Sequence, residues 1–437
     1  LIFFTGKFPE LSLLLFCIYF LALHFLVRKN RFIRDCGLPP LAITGLFMLK
    51  IAACIGFALF SLHHSESLDS RSFYLTAYWE YIRLIRAPLA YFRQMPADYR
   101  LHLHALGAVF DSHHSFWGYA SRQIMLKIMI GFNLLTGGNY YTDLLLYSYP
   151  VFIGHIALYR FFRSYALVPP VLLLLAVFFL PSLLVWTSNY DKEGILLVAL
   201  GLLFFHFDAW LQHRKPPGKI FIGLLCFGLI LLVRNYFAII LVPVLAAWAI
   251  SVKWKKWPAP VVFLAVYLLA GLVFFNLGRI SPSLNIPDKL VGRQMDFRVL
   301  SGRSRISLPP LDPSPLGFLR LLPKALNHAI LRPYFWESRH WLYLAAGLEN
   351  GLILAIFLLS LITFRGWSSL RQPAVLGCLV FSLSILLVTG YEVPFLGAII
   401  RYRSLALPFL LGSAFSWMDW ETLRKYWIKY ISFINIH

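Results

Sequence analysis

Residues 11–27 read LSLLLFCIYFLALHFLV and carry no acidic or basic charge until Arg28, Lys29, Arg31 and Arg34 follow. A run of this kind approaches the roughly 20 apolar residues that one helical crossing of a bilayer needs. A secretory signal would continue into small residues and a cleavage site, so Leu11–Val27 is expected to be a retained span. Val168–Trp186, Gly194–Leu211 and Leu352–Phe364 repeat the pattern along the chain.

Composition extends the same reading. The 437 residues are 59% hydrophobic and only 14% charged, with a mean hydropathy of +0.70, whereas soluble domains carry roughly a quarter charged residues. Helices that satisfy their own backbone groups are the way to place so much apolar surface in hydrocarbon. The expected fold is therefore an all-α polytopic membrane protein, with residues 1–437 forming one integral membrane domain. The formal charge of +21 is spread over loops between apolar runs, which fits topology and anionic head groups rather than nucleic acid. Cys17, Cys36, Cys54, Cys226 and Cys378 lie in or beside apolar runs without Cys-x-x-Cys spacing, so neither a disulfide framework nor a cysteine metal site is expected.

Short basic loops stay on the cytoplasmic side. Placing Arg28–Arg34, Arg160–Arg163, Arg214–Lys219, Lys253–Lys256, Arg365–Arg371 and the tail with Arg424, Lys425 and Lys429 inside requires about eleven spans. These are expected near 11–27, 41–62, 140–159, 168–187, 193–211, 219–233, 236–252, 259–276, 341–364, 374–391 and 403–418, with the N-terminus outside. Two long extracytoplasmic loops result, 63–139 and 278–340. The half-apolar run Ser121–Thr136, with Arg122 and Lys127 among isoleucines and leucines, is then expected to lie along the membrane surface.

The first loop opens on Asp69 and continues through Tyr78, Glu80 and Tyr81. An acid at the membrane face can deprotonate a hydroxyl acceptor or hold a divalent cation, and it can also cap a helix. Asp98, His102, His104, Asp111, His113 and His114 enrich the same loop in metal-ligand types, though not at the separated pairs that zinc sites show. A magnesium or manganese site would need Asp69 with a second acid such as Glu80 or Glu337.

Further charges collect where the topology puts the outer interface. Asp191, Lys192 and Glu193 interrupt two apolar runs; they read either as a cap, a dipole contact and a snorkelling lysine, or as part of a site. Arg234 splits another apolar segment, and Arg401 and Arg403 follow the last outer turn. A guanidinium fork suits phosphate. Glu349 and Asn350 sit inside an apolar run, where an acid is a functional candidate or half of an interhelical pair.

Three stretches carry a resemblance: Pro181–Glu193, Ala329–Glu337 followed by Leu348-Glu349-Asn350, and Gly397–Arg403. From about residue 60 onward the chain resembles a family of polytopic bacterial envelope proteins associated with cell-surface polysaccharide synthesis, and its broader plan resembles the GT-C glycosyltransferase superfamily. That resemblance implies an enzyme of the bacterial cytoplasmic (inner) membrane with its active site on the extracytoplasmic side. It also implies Asp69 as the catalytic acid and a polyprenyl-phosphate-linked sugar as donor. Arg401, Arg403, Arg234, Lys192, Glu193, Arg332 and Glu337 are then expected to bind the lipid phosphate or substrate, with Glu80 as a candidate second acid and a glycan or lipid as acceptor. Unlike that superfamily, the chain has an extra span before the acid-bearing loop and no paired acid beside Asp69. Two other readings remain open at this point: an arginine-dependent O-antigen-type polymerase or ligase, and a flippase, transporter or structural envelope subunit.

Overall fold

The computed structural model describes residues 9–64, 69–100, 115–166, 168–212, 219–302, 304–337, 340–366 and 371–425. Among these residues the regular structure is helical, with no named strand and two isolated bridges, Arg305 to Phe395 and Phe364 to Met418. Among the described residues, seven helices are long and apolar enough to cross a membrane: Ser12–Lys29, Pro40–Phe60, Lys192–Leu211, Asn235–Lys253, Ala259–Arg279, Trp341–Ile362 and Pro373–Glu392. Their outer faces are apolar as well. On the helix Ala259–Asn276, Leu264, Leu268 and Leu272 are each more than 60% exposed, a four-residue spacing that puts them on one face, which suits hydrocarbon and not water. The chain is a multi-pass helical membrane protein.

Several expected spans take a different form. Residues 168–187 make two short helices, Pro170–Val177 and Pro181–Trp186; the residue before a proline is pushed out of the helical region, and Leu180 stands before Pro181. Residues 219–233 form the 14-residue helix Ile220–Val233. The last expected span, 403–418, starts on the final two residues of the helix Leu396–Ser404 and continues as the separate 11-residue helix Leu407–Trp417, with Pro408 in its first turn. Within 69–136 the described residues form the helices Asp69–Arg86, Pro88–Arg100 and Phe116–Thr136. The last of these starts where the Ser115 hydroxyl accepts from Gly118 N at 3.2 Å and ends at Gly137, whose φ of 71° is left-handed.

The helices cluster into two compact units, Leu1–Arg160 with Leu183–Ala238, and Phe161–Ser182 with Ile239–His437. In the first unit, a Cβ added at Gly154 would stand 2.8 Å from the Val198 backbone, and one at Gly201 would stand 2.5 Å from the Gly154 carbonyl. The helices Tyr140–Arg163 and Lys192–Leu211 therefore touch backbone to backbone, the small-residue packing that membrane helices use in place of a hydrophobic driving force. In the second unit Gly390 plays the same part, lying directly under the Ala325 carbonyl. This close approach seats the end of the helix Pro315–Leu326 against the helix Pro373–Glu392.

Candidate functional site

In the second unit the helix Pro315–Leu326 runs into a π-helical turn, Asn327–Leu331, a wide-turn geometry often found at functional sites. Its carbonyls are gathered by one side chain. Arg403, 1% exposed, donates through Nη1 to the carbonyl of Arg332 and to that of Ala329 at 3.4 Å. The turn is braced from other sides too. Asn350 Nδ2 donates to Leu331 O at 3.3 Å and Pro333 O at 3.1 Å, and the Tyr334 hydroxyl donates to Asn327 Oδ1 at 2.6 Å. Arg332 and Glu337 form an ion pair at 3.5 Å, and Glu337 Oε2 accepts from Tyr334 N at 3.1 Å.

The polar atoms left over define what this region can do. Arg403 Nε and Nη2, Arg332 Nε and His328 Nδ1 are buried with no hydrogen-bond partner. Buried polar groups are almost always satisfied, and the open Arg403 and Arg332 N–H groups around this turn are of a kind that can donate to an oxyanion. Glu349, 6% exposed, supplies the opposite charge to Arg403 and accepts from Ser182 N at 3.1 Å and Ser182 Oγ at 2.9 Å.

His328 is 4% exposed, and burial, followed by the neighbouring charges of Arg332 and Lys324, pushes its pKa from 6.5 down to about 4. The fold thus keeps it neutral while the unfolded chain protonates. Stability from this group is complete above pH 6.5 and is lost as the pH falls through 6.5 towards about 4, a loss of about 3 kcal/mol. Thermal melts of the detergent-solubilised chain across that window should show the drop. His328→Gln should flatten it, and equal slopes in the two proteins would contradict this assignment.

In the first unit Glu193 and Arg234 form a buried ion pair, with side-chain exposures of 0% and 9%. Arg234 stands at the break between the helices Ile220–Val233 and Asn235–Lys253, and its Nη1 also donates to the Tyr236 hydroxyl at 3.2 Å. Ser121 Oγ donates to Val233 O at 2.7 Å, which ties the helix Phe116–Thr136 to the same break. Asp191 occupies the N-cap position of Lys192–Leu211 but makes no capping hydrogen bond. Lys192 and, in the second unit, Arg401 are half-buried.

Glu80 also belongs to a cluster. Its Oε2 accepts from Lys127 Nζ at 2.7 Å and from the Tyr91 hydroxyl at 2.9 Å. Burial alone would lower the Lys127 pKa, but the hydrogen bonds to Glu80 and Tyr91 outweigh it and hold it above the usual lysine value. Arg83, Gln94, Tyr119 and Gln123 complete a hollow of about 30 Å³ there, room for one water-sized group. Asp69 begins the helix Asp69–Arg86, and its side chain lies outside the described residues, as do that of Asp98 and the histidine-rich segment 101–114. Among the described residues, no three His, Cys, Asp or Glu side chains gather to hold a metal ion.

Lys50 was not anticipated as a site residue. It sits inside the spanning helix Pro40–Phe60, is 1% exposed, and donates to Thr187 Oγ1 and Ser188 Oγ, each at 2.8 Å. A lone lysine in an apolar run was the available signal. The structure thus pairs Arg234 with Glu193 in one unit and Arg332 with Glu337 and Arg403 in the other. No family model, curated protein or solved structure matches this chain.

Proposed function

We propose that the chain is a GT-C-like glycosyltransferase of a bacterial cytoplasmic membrane, with about eleven spans and its site on the extracytoplasmic face. It moves a sugar from a polyprenyl-phosphate carrier to an envelope glycan or lipid acceptor. The observation that carries this reading is the buried Arg403 guanidinium, with Nε and Nη2 unpartnered beside Arg332 Nε and His328 Nδ1. Such a group stabilises the phosphate that departs as the bond between the sugar C1 and the phosphate oxygen breaks, where charge develops most. The acceptor hydroxyl forms the new bond to C1 and gives its proton to a carboxylate of the first loop, Asp69 by resemblance, with Glu80 the second acid there. An arginine-dependent polymerase or ligase would share this phosphate chemistry.

The test is direct. Purified protein in lipid, supplied with a polyprenyl-phosphate-linked sugar pool and envelope glycan acceptors, should release free polyprenyl phosphate as the acceptor gains mass. No release across that pool contradicts the reading. One observation favours a transporter instead: Lys50, inside a spanning helix, meets residues 187–188, which interrupt the helices Pro181–Trp186 and Lys192–Leu211. Transporters place ionisable groups against interrupted helices in this way. Movement of intact lipid-linked sugar between leaflets, without transfer, would favour that alternative.

A further inference from the structure

Beyond the groups discussed so far, the first unit holds a second set of unsatisfied polar atoms. Asp143, in the first turn of Tyr140–Arg163, is fully buried; its Oδ1 accepts from the Thr136 hydroxyl, while Oδ2 has no hydrogen-bond partner. Asn133 lies three residues before Thr136 and therefore on the same helical face. It is also fully buried, with neither amide atom partnered. Tyr190, again fully buried, has an unpartnered hydroxyl, and its ring lies 6.3 Å from Phe132 and 6.1 Å from Tyr140.

The surroundings of Asp143 contain no described counter-charge. The groups that interact with its carboxylate are the Thr136 hydroxyl and the tyrosines Tyr74, Tyr81 and Tyr190. The helix start contributes a favourable dipole, worth a fraction of a unit charge. Buried carboxylates are otherwise paired or bound to metal ions, and no lysine or arginine figures among the groups that act on Asp143.

We propose that Asp143 Oδ2, Asn133 Oδ1 and the Tyr190 hydroxyl bind a monovalent metal cation of the sodium or potassium class. All three ligand atoms are hard oxygens, which exclude soft-metal chemistry. A single carboxylate matches a single positive charge. Magnesium would demand near-octahedral geometry and keeps several waters, which this aromatic interior of Tyr74, Tyr140, Tyr147 and Tyr190 does not offer. The site is independent of sugar transfer.

The experiment is thermal unfolding of the detergent-solubilised full chain in sodium, potassium or choline chloride at equal ionic strength and fixed pH. The expected result is a saturable rise in Tm of about 3 °C or more with one of the metal cations over choline. Asp143→Asn should abolish that rise; where this variant fails to fold, Asn133→Ala serves, with the rise moved to at least about tenfold higher salt. Equal Tm in all three salts overturns the proposal. So does a rise that survives in the folded variants. A Tm that responds to pH but to no cation would show a protonated carboxyl instead.

Discussion

Under the proposed glycosyltransferase reading, Arg403→Lys is expected to lower sugar transfer about a hundredfold, on the order of 2.7 kcal/mol of transition-state stabilisation. The guanidinium divides its donors between two tasks, since Nη1 holds the carbonyls of Arg332 and Ala329 while Nε and Nη2 remain open. A lysine ammonium carries one compact charge without the planar fork, so it cannot hold the turn and present two parallel donors at once. The loss should fall on kcat rather than on KM for the acceptor, because the phosphate gains charge as the bond to the sugar breaks. Initial rates of polyprenyl phosphate release from folded variant and parent check this. Unchanged rates would remove Arg403 from the site.

The second large effect is expected on stability. Glu193→Gln removes the carboxylate that pairs with the Arg234 guanidinium, 9% exposed, at a helix break, and breaking a buried pair from one side costs about 3–5 kcal/mol. Unfolding in mixed detergent, read by circular dichroism, should show the loss. The double variant Glu193→Gln with Arg234→Gln should recover a substantial part of it, because the buried positive charge has gone with the negative one. Additive losses in the double variant would mean that the pair is not coupled.

The fold was legible wherever composition alone decides it. Apolar runs such as 193–211, 236–252 and 374–391 correspond to spanning helices, because hydrocarbon leaves an isolated segment few alternatives. The 168–187 run was harder to read, since hydropathy does not register that Pro181 breaks the helix. At the candidate sites, residue type was readable and partnership was not. Arg234, Glu193, Arg332, Glu337 and Arg403 all stand out as interfacial charges, yet nothing in their spacing says that Arg234 meets Glu193 across 41 positions or that Arg403 reaches a turn 71 positions earlier. Asp143 and Asn133 carry no local signal, because an acid in a first helical turn is commonplace. Their unmet hydrogen bonds exist only after packing.

The leucine face at positions 264, 268 and 272 also fixes a length. The crossing segment Ala259–Arg279 has 21 residues, and at about 1.5 Å rise each it reaches roughly 32 Å, close to the ~30 Å hydrocarbon thickness of a typical bilayer. It has little surplus to take up by tilting, so its length suits a lipid layer of about average depth.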